Sequence, residues 1–291
     1  MCIRDSHESV ATLCGLFGKK RQWYYANMKA DVSERQRVKL LADMIGYYRL
    51  CCPRIGGFKL FHLQEKDLGH AVTLGRDSFL KVYESKSFKL KPNKRRRTTD
   101  SNHVYKRYPN LIKGKDARYS NPIWVSDITY VWILGDVLYL HLVTDAYSHA
   151  VLGWCLSDSL SASHTTEALR MAIRIAGGGN LCGTIHHSDR GSQYASDAYV
   201  SCLMEHHIRI SMTEGYEPTD NAMAERQNGI FKVEWIYEQE MYRDKEQAIN
   251  EINRMIDFYN NRRPHMSIGM ECPMEVYKGK LPGKNLWRKR P

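Results

Sequence analysis

The chain has 291 residues, 43% apolar and 26% charged, the balance of an ordinary globular protein, which excludes a disordered or collagen-like one. No apolar run reaches the roughly 18 residues of a membrane span, and the polar opening Met1–Ser6 lacks the apolar segment of a secretory signal; a cytoplasmic protein without a membrane partner is expected, nucleoid-associated in a prokaryote. The formal net charge of +11 is uneven, with 26 Lys and Arg against 11 Asp and Glu in residues 1–118 and 17 against 21 in the remainder, which suits a polyanion-binding lobe ahead of one that collects cations.

From Glu8 to about Leu90 the pattern is helical and interrupted. Val10, Leu13, Leu16 and Phe17 fall on one helical face, Gly18 makes a turn, and Trp23 and Tyr24 resume. A second helix is expected over about Ser33–Arg49, stopping before Pro53, and a third over Phe58–Lys66. Such a unit docks on DNA or packs as a plain helical hairpin; residues 8–90 are read as a helical, helix-turn-helix-like DNA-binding domain. The eight cysteines form neither a CxxC pair nor a disulfide ladder, so free thiols are expected, and Cys51, Cys52, His62 and His70 match no zinc-finger spacing. Residues 86–97 (KSFKLKPNKRRR) hold seven basic residues and a proline, a poor basis for a packed element. Residues 91–119 are therefore a basic linker, in which Lys94, Arg95, Arg96 and Arg97 stay solvated or track DNA phosphates.

At Ile123 the periodicity changes. Ile123–Ile133 is β-branched and aromatic, Gly135-Asp136 turns the chain, and Val137–Thr144 and Ala150–Leu156 supply two further strands, all in antiparallel order. Ser163–Ile175 reads as a helix, Gly183–His187 as a buried strand, Ser196–His206 as a helix and Ile208–Met212 as a strand. This order predicts an α/β domain, a ribonuclease H-like mixed five-stranded sheet with flanking helices, preceded by the small helical domain. One long helix is expected over Asp220 to about Tyr242 and another over Lys245–Asn260, completing a core over 120–263. From 264 to 291 the periodicity fades into an extension and basic tail.

Three acids stand out. Asp127 lies mid-strand in WVSDITY, where a carboxylate is costly to desolvate without a cation or hydrogen bonds. Asp189 follows the fourth strand in HHSDRGSQY, and strand ends of open α/β sheets are where ligands sit. Glu225 lies in the first turns of the long helix, in DNAMAERQNGIFK. Singly, each has an ordinary reading: a strand-edge acid, a helix cap, an exposed helix charge. Together they supply oxygen ligands for two Mg²⁺ ions, replaceable by Mn²⁺, about 3.5–4 Å apart across a phosphate.

From Trp124 to Tyr277 the strings WVSDITY, HHSDRGSQY, DNAMAERQNGIFKVE and FYNNRRPHMSIG closely resemble the catalytic, OrfB-like part of DDE transposases from insertion sequences that move by copy-out, paste-in transposition, relatives of retroviral integrases. Thirty-five residues separate Asp189 from Glu225, and Lys232 lies seven beyond Glu225, as in that family. The resemblance implies an integrase-type catalytic core that cleaves and transfers DNA strands at element ends, with Asp127, Asp189 and Glu225 as catalytic residues and metal ligands. It also implies double-stranded DNA as partner, a homo-oligomer on that DNA, and an upstream-frame, OrfA-like fusion partner. Seven residues are close to two helical turns, so Asn221, Glu225 and Lys232 share a face, with Asn221 and Lys232 toward DNA; a solvated Glu–Lys pair is the plainer reading. Arg190 and Gln193 shape the Asp189 loop or touch DNA, whereas His187 packs locally. Tyr259, Arg262 and His265 contact the element end or buttress the site, Arg263 is expected at DNA, and the two arginines equally suit a charged helix C-cap. The chain departs from the family at CPRIGGFKL and at His149, which stands where relatives commonly have Arg. Two rivals share the features: a domesticated or catalytically inactive DNA-binding derivative, and a ribonuclease H-like nuclease acting on RNA.

Overall fold

The structure, a computed structural model, describes residues 9–11, 14, 18–69, 73–85, 88, 107–214, 222–238 and 241–279, with the side chains of 23, 24, 26–32 and 222 left aside. Asn221 and the basic run Lys94–Arg97 lie outside the described residues. The chain forms two compact units: Met1–Tyr48 with Leu63–Lys89, and Arg49–His62 with Leu90–Pro291.

The first unit is helical. Helix α1 (Arg21–Cys51) is continuous, where two helices broken before Ser33 were expected; no Gly or Pro interrupts Arg21–Ile45, so nothing local stops it. Its Leu41, Ile45 and Tyr48 are buried at the spacing of one helical face. Helix α2 (Gly57–Leu68) follows the expected segment closely, and α3 (Arg76–Ser85), too short to show a period by eye, buries Phe79 and Tyr83, stacked at 6.2 Å. The Gln64 amide fixes the turn before α3, donating to the Leu74 carbonyl at 2.8 Å and accepting from its N–H at 3.1 Å.

The second unit is built on five strands: β1 (Ile123–Ile133), β2 (Asp136–Asp145), β3 (Val151–Ser157), β4 (Ile185–Ser188) and β5 (Arg209–Met212), in spatial order β3-β2-β1-β4-β5. β1, β2 and β3 pair antiparallel, while β4 and β5 run parallel to β1, the ribonuclease H-like arrangement. Helix α4 (Ala162–Ile175) joins β3 to β4, and the short α5 (Ser192–Ala195) and α6 (Asp197–Glu205) join β4 to β5. Strand side chains alternate between faces. Trp124, Val143 and Leu152 pack with Ala168, Leu169, Ala172, Tyr199 and Leu203 on one face; Ile123, Val125 and Ala146 pack with Ala224 on the other. The approach of α4 to β3 is close enough that a Cβ on Gly153 would stand 1.9 Å from the Ala168 carbonyl oxygen, so only glycine fits. Asn260 covers the outer edge of β3 by exchanging both backbone bonds of Val151, at 2.9 and 2.8 Å, a side chain standing in for a missing strand.

The long helix expected from Asp220 is shorter and changes winding. It runs as α7 (Ala222–Phe231), opens into a π turn over Lys232–Ile236, and closes at Tyr237. That widened turn carries Glu234 inward to Arg263 (2.8 and 2.7 Å) and Lys59 (2.6 Å), and Trp235 to the Cys51 carbonyl (2.7 Å). Arg49–His62, within the expected helical domain, belongs to the second unit, where Cys51 and Lys59 make these bonds. Helix α8 (Lys245–Asn261) follows. Residues 264–279, within the expected C-terminal extension, form a 3₁₀ turn at Met266–Ile268 and α9 (Pro273–Tyr277), with Ile268, Cys272 and Val276 buried. Elements of one turn leave no period for the sequence to show. Among the described residues no helix is long and apolar enough to cross a membrane.

Candidate active site

Asp127 sits at the centre of β1, half-buried, on the sheet face that α7 covers. The parallel register pairs Trp124 with His186 and Val125 with His187, so β4 ends beside the middle of β1, with Asp189 one residue past it. The Asp189 charge acts on Asp127 from there. Asp189 has already left β4; its Oδ1 accepts the Gly191 N–H at 2.9 Å, fixing the turn into α5. From the other side the Asn228 amide donates to Asp127 Oδ2 at 2.6 Å, and Asp127 Oδ1 accepts its neighbour Ile128 N–H at 2.9 Å. Glu225 lies one turn before Asn228, in the first turn of α7, and is exposed. On this helix the Asn228 amide reaches Asp127 and the Lys232 charge acts on it, and Glu225 shares their face by its spacing of three and seven residues.

The electrostatics follow. Asp127 is pushed from 3.8 up to about 7, first by burial and then by the charge of Asp189; the bonds from Ile128 and Asn228 and the charge of Lys232 act the other way but do not prevail. The phenol of Tyr194, on α5, is held well above its usual range by burial, then by Asp189 and Asp127. Its buried hydroxyl has no hydrogen-bond partner. Two oxygen-donor acids that act on each other, one of them raised by burial and further by its neighbour's charge, suit a hard divalent cation, which takes oxygen ligands and offsets their repulsion.

Comparison with known proteins identifies the family. The integrase core domain family matches residues 117–218, and a second integrase core domain family matches 206–273. A protein assigned as the transposase of insertion sequence element IS986/IS6110 of Mycobacterium tuberculosis is 34% identical over 187 residues, 63% of this chain and 67% of that one. The 31 kDa protein of insertion element IS600 of Shigella sonnei is 30% identical over 268 residues, 90% of this chain and 96% of that one. The chain belongs to the insertion-sequence DDE transposases. It is a polynucleotidyl transferase with an integrase-type core. Among solved structures, a chain of the simian T-cell lymphotropic virus intasome in complex with PP2A regulatory subunit B56 gamma is 19% identical with a TM-score of 0.46, covering 66% of this chain and 64% of that one. The HTLV-2 integrase catalytic core in complex with magnesium is 20% identical with a TM-score of 0.42, covering 55% and 97%.

The remaining residues expected at the transposase site fall into different settings. Arg190 bonds through Nε to the Thr213 carbonyl at 2.7 Å and through its guanidinium to the Glu214 carbonyl, tying the Asp189 loop to the end of β5. Gln193 folds its amide back over Gly191, where an added Cβ would meet it at 2.2 Å. His187 is buried and bonds Ser211 Oγ at 2.8 Å. Arg262 is exposed and its N–H caps α8 on the Phe258 carbonyl. Arg263 and His265, expected against DNA, are buried instead. Arg263 forks onto Glu234 and lies over the Tyr259 ring at 5.3 Å. His265 stacks on His149 at 4.4 Å, and both rings bond Ser267 Oγ, at 2.8 and 2.9 Å. Burial pushes the Glu234 carboxyl up, but Arg263 and Lys59 outweigh it and hold it down at about 2. Two site residues had not been singled out: Asn228, whose clue is an unfavourable mid-helix asparagine one turn past Glu225, and Tyr194, for which the sequence carries no clue.

Proposed function

We propose that the chain catalyses divalent-metal-dependent DNA strand cleavage and strand transfer at the ends of an insertion sequence, with Asp127, Asp189 and Glu225 as its catalytic acids. The observation that carries this reading is that β4, with Asp189 one residue past its end, pairs with β1 just before Asp127, while the Asn228 amide bonds Asp127 from the helix that bears Glu225. The three carboxylates would hold two Mg²⁺ ions, or Mn²⁺ in their place, which when bound lower the pKa of water and neutralise charge on the leaving oxygen. Asn228 keeps the Asp127 carboxylate in one orientation, and Lys232 offers its charge to a backbone phosphate beside it. In the first transfer, water adds to phosphorus at the element end and a 3′ oxygen leaves with the proton returned to it. In the second, that 3′ hydroxyl attacks another phosphodiester and a target 3′ oxygen leaves.

Double-stranded DNA is the partner on this reading, with the basic front of the chain, Lys94–Arg97 included, supplying sequence-independent phosphate affinity. Holding two ends together requires more than one protomer, and an upstream OrfA-like fusion partner would add end recognition. The test is strand transfer on labelled element-end duplexes. Asp127→Ala, Asp189→Ala or Glu225→Ala should each abolish Mg²⁺-dependent joining while gel-shift affinity is kept; full joining by any of them ends the proposal, and binding without joining by the unaltered chain favours the inactive derivative.

A further inference from the structure

On the sheet face away from Asp127, Cys155 of β3 and His164 and Glu167 of α4 bring a sulfur, an imidazole nitrogen and a carboxylate oxygen within 4.8 Å of one another. The two elements belong to the same packed core, against which Cys155 lies. His164 and Glu167 are one helical turn apart, so their side chains stand one above the other toward the strand. We propose that these three residues form a binding site for a Zn²⁺-class transition-metal ion, clamping the edge strand β3 to α4.

Three observations support it. The Cys155 Sγ to Glu167 Oε2 separation is 3.4 Å, close to the roughly 3.6 Å edge of a tetrahedron with Zn–S near 2.3 Å and Zn–O near 2.1 Å. A thiol–carboxylate hydrogen bond accounts for that pair alone, and not for the imidazole brought to the same point. The donor mixture matters next: thiolate and imidazole select Zn²⁺ and its neighbours over Mg²⁺, which wants oxygen only. Finally, the surroundings leave the set free to act. His141 does not compete, because its Nε2 bonds Ser157 Oγ and its Nδ1 bonds Thr165 Oγ1, both at 2.9 Å. Asp158 is engaged by Lys245 at 2.9 Å. Cys155 and His164 are half-buried and Glu167 is exposed, which leaves the solvent side open for a water as fourth ligand. On binding, the ion takes the place of the thiol proton, which passes to solvent.

The experiment is a Co²⁺ titration of the reduced full chain, read in the near ultraviolet, where a thiolate–Co²⁺ bond absorbs and an all-carboxylate site does not. The expected result is a saturable absorption that Zn²⁺ removes and excess Mg²⁺ leaves unchanged. Cys155→Ser and His164→Ala should lose the absorption, and Glu167→Gln, which retains the packing, should weaken it. No absorption in the unaltered chain, or an absorption that survives Cys155→Ser, overturns the proposal. Because Asp127, Asp189 and Glu225 contribute no sulfur, this result is independent of the transposase chemistry: Asp127→Asn should leave the titration as it is.

Discussion

Replacing Asp127 by Asn should stabilise the metal-free protein, by an amount that grows above about pH 4 and is complete above about pH 7. The carboxyl is raised to about 7 by burial and by Asp189, so the folded state holds this proton more tightly than the unfolded chain does. The stabilising contribution is fully present below about 3.8 and is lost as pH rises through about 7. Above that, the ionised side chain costs up to about 4 kcal/mol, since one pKa unit is about 1.4 kcal/mol; solvent on the open side of the site reduces this to roughly 2–4 kcal/mol. Asparagine keeps an oxygen for the Ile128 N–H, and its amide can reach Asn228 Oδ1, which has no partner. Thermal unfolding in chelator at pH 8 should therefore show Asp127→Asn melting higher by roughly 5–10 °C, with the difference vanishing near pH 4. Millimolar Mg²⁺ should raise the melting temperature of the unaltered chain and leave the variant unmoved, because a ligand stabilises only the state that binds it. A variant less stable at pH 8, or a difference that ignores pH, would refute the reasoning.

Other perturbations have equally definite outcomes. Glu234→Gln should cost about 3–5 kcal/mol in chemical denaturation, because it leaves Arg263 and Lys59 charged and buried without their carboxylate. Gly153→Ala should destabilise by about 3 kcal/mol, at the upper end for overpacking, since the obstructing atom is the Ala168 backbone; a near-native melting curve would contradict the close α4–β3 approach. Burial holds His141 and His149 down at about 4 and His186 at about 3, so their contribution is intact above about 6.5 and is lost as pH falls toward those values. Stability should drop with proton uptake between pH 6.5 and 4, and His186→Gln should flatten that slope in a pH series of denaturant midpoints. Asn228→Ala should lower strand transfer more than DNA binding, with the loss read in turnover.

The strands and the position of Asp127 were legible because β-branched and aromatic runs with a Gly-Asp turn leave few alternatives. The pairing that brings the end of β4 beside β1 was not, since it depends on how a parallel crossover closes rather than on any local string. The burial of Arg263 was not legible for a related reason: a cation near a helix end reads as surface, and the Glu234 that pairs with it lies on another helix, brought inward by a π turn no propensity announces. The break expected before Ser33 came from reading apolar spacing segment by segment, where the absence of Gly and Pro was the stronger signal. Tyr194 shows the same limit, because its importance comes only from the two carboxylates near a hydroxyl that bonds nothing.

Anomalous diffraction from crystals soaked in Mn²⁺ tests the shared-cation account most directly. Two peaks about 3.5–4 Å apart, bridged by Asp127 and Asp189 and with Glu225 oxygen in coordination range of one, are the expected result. Peaks that exclude Glu225, or none between the two aspartates at saturating Mn²⁺, would contradict it.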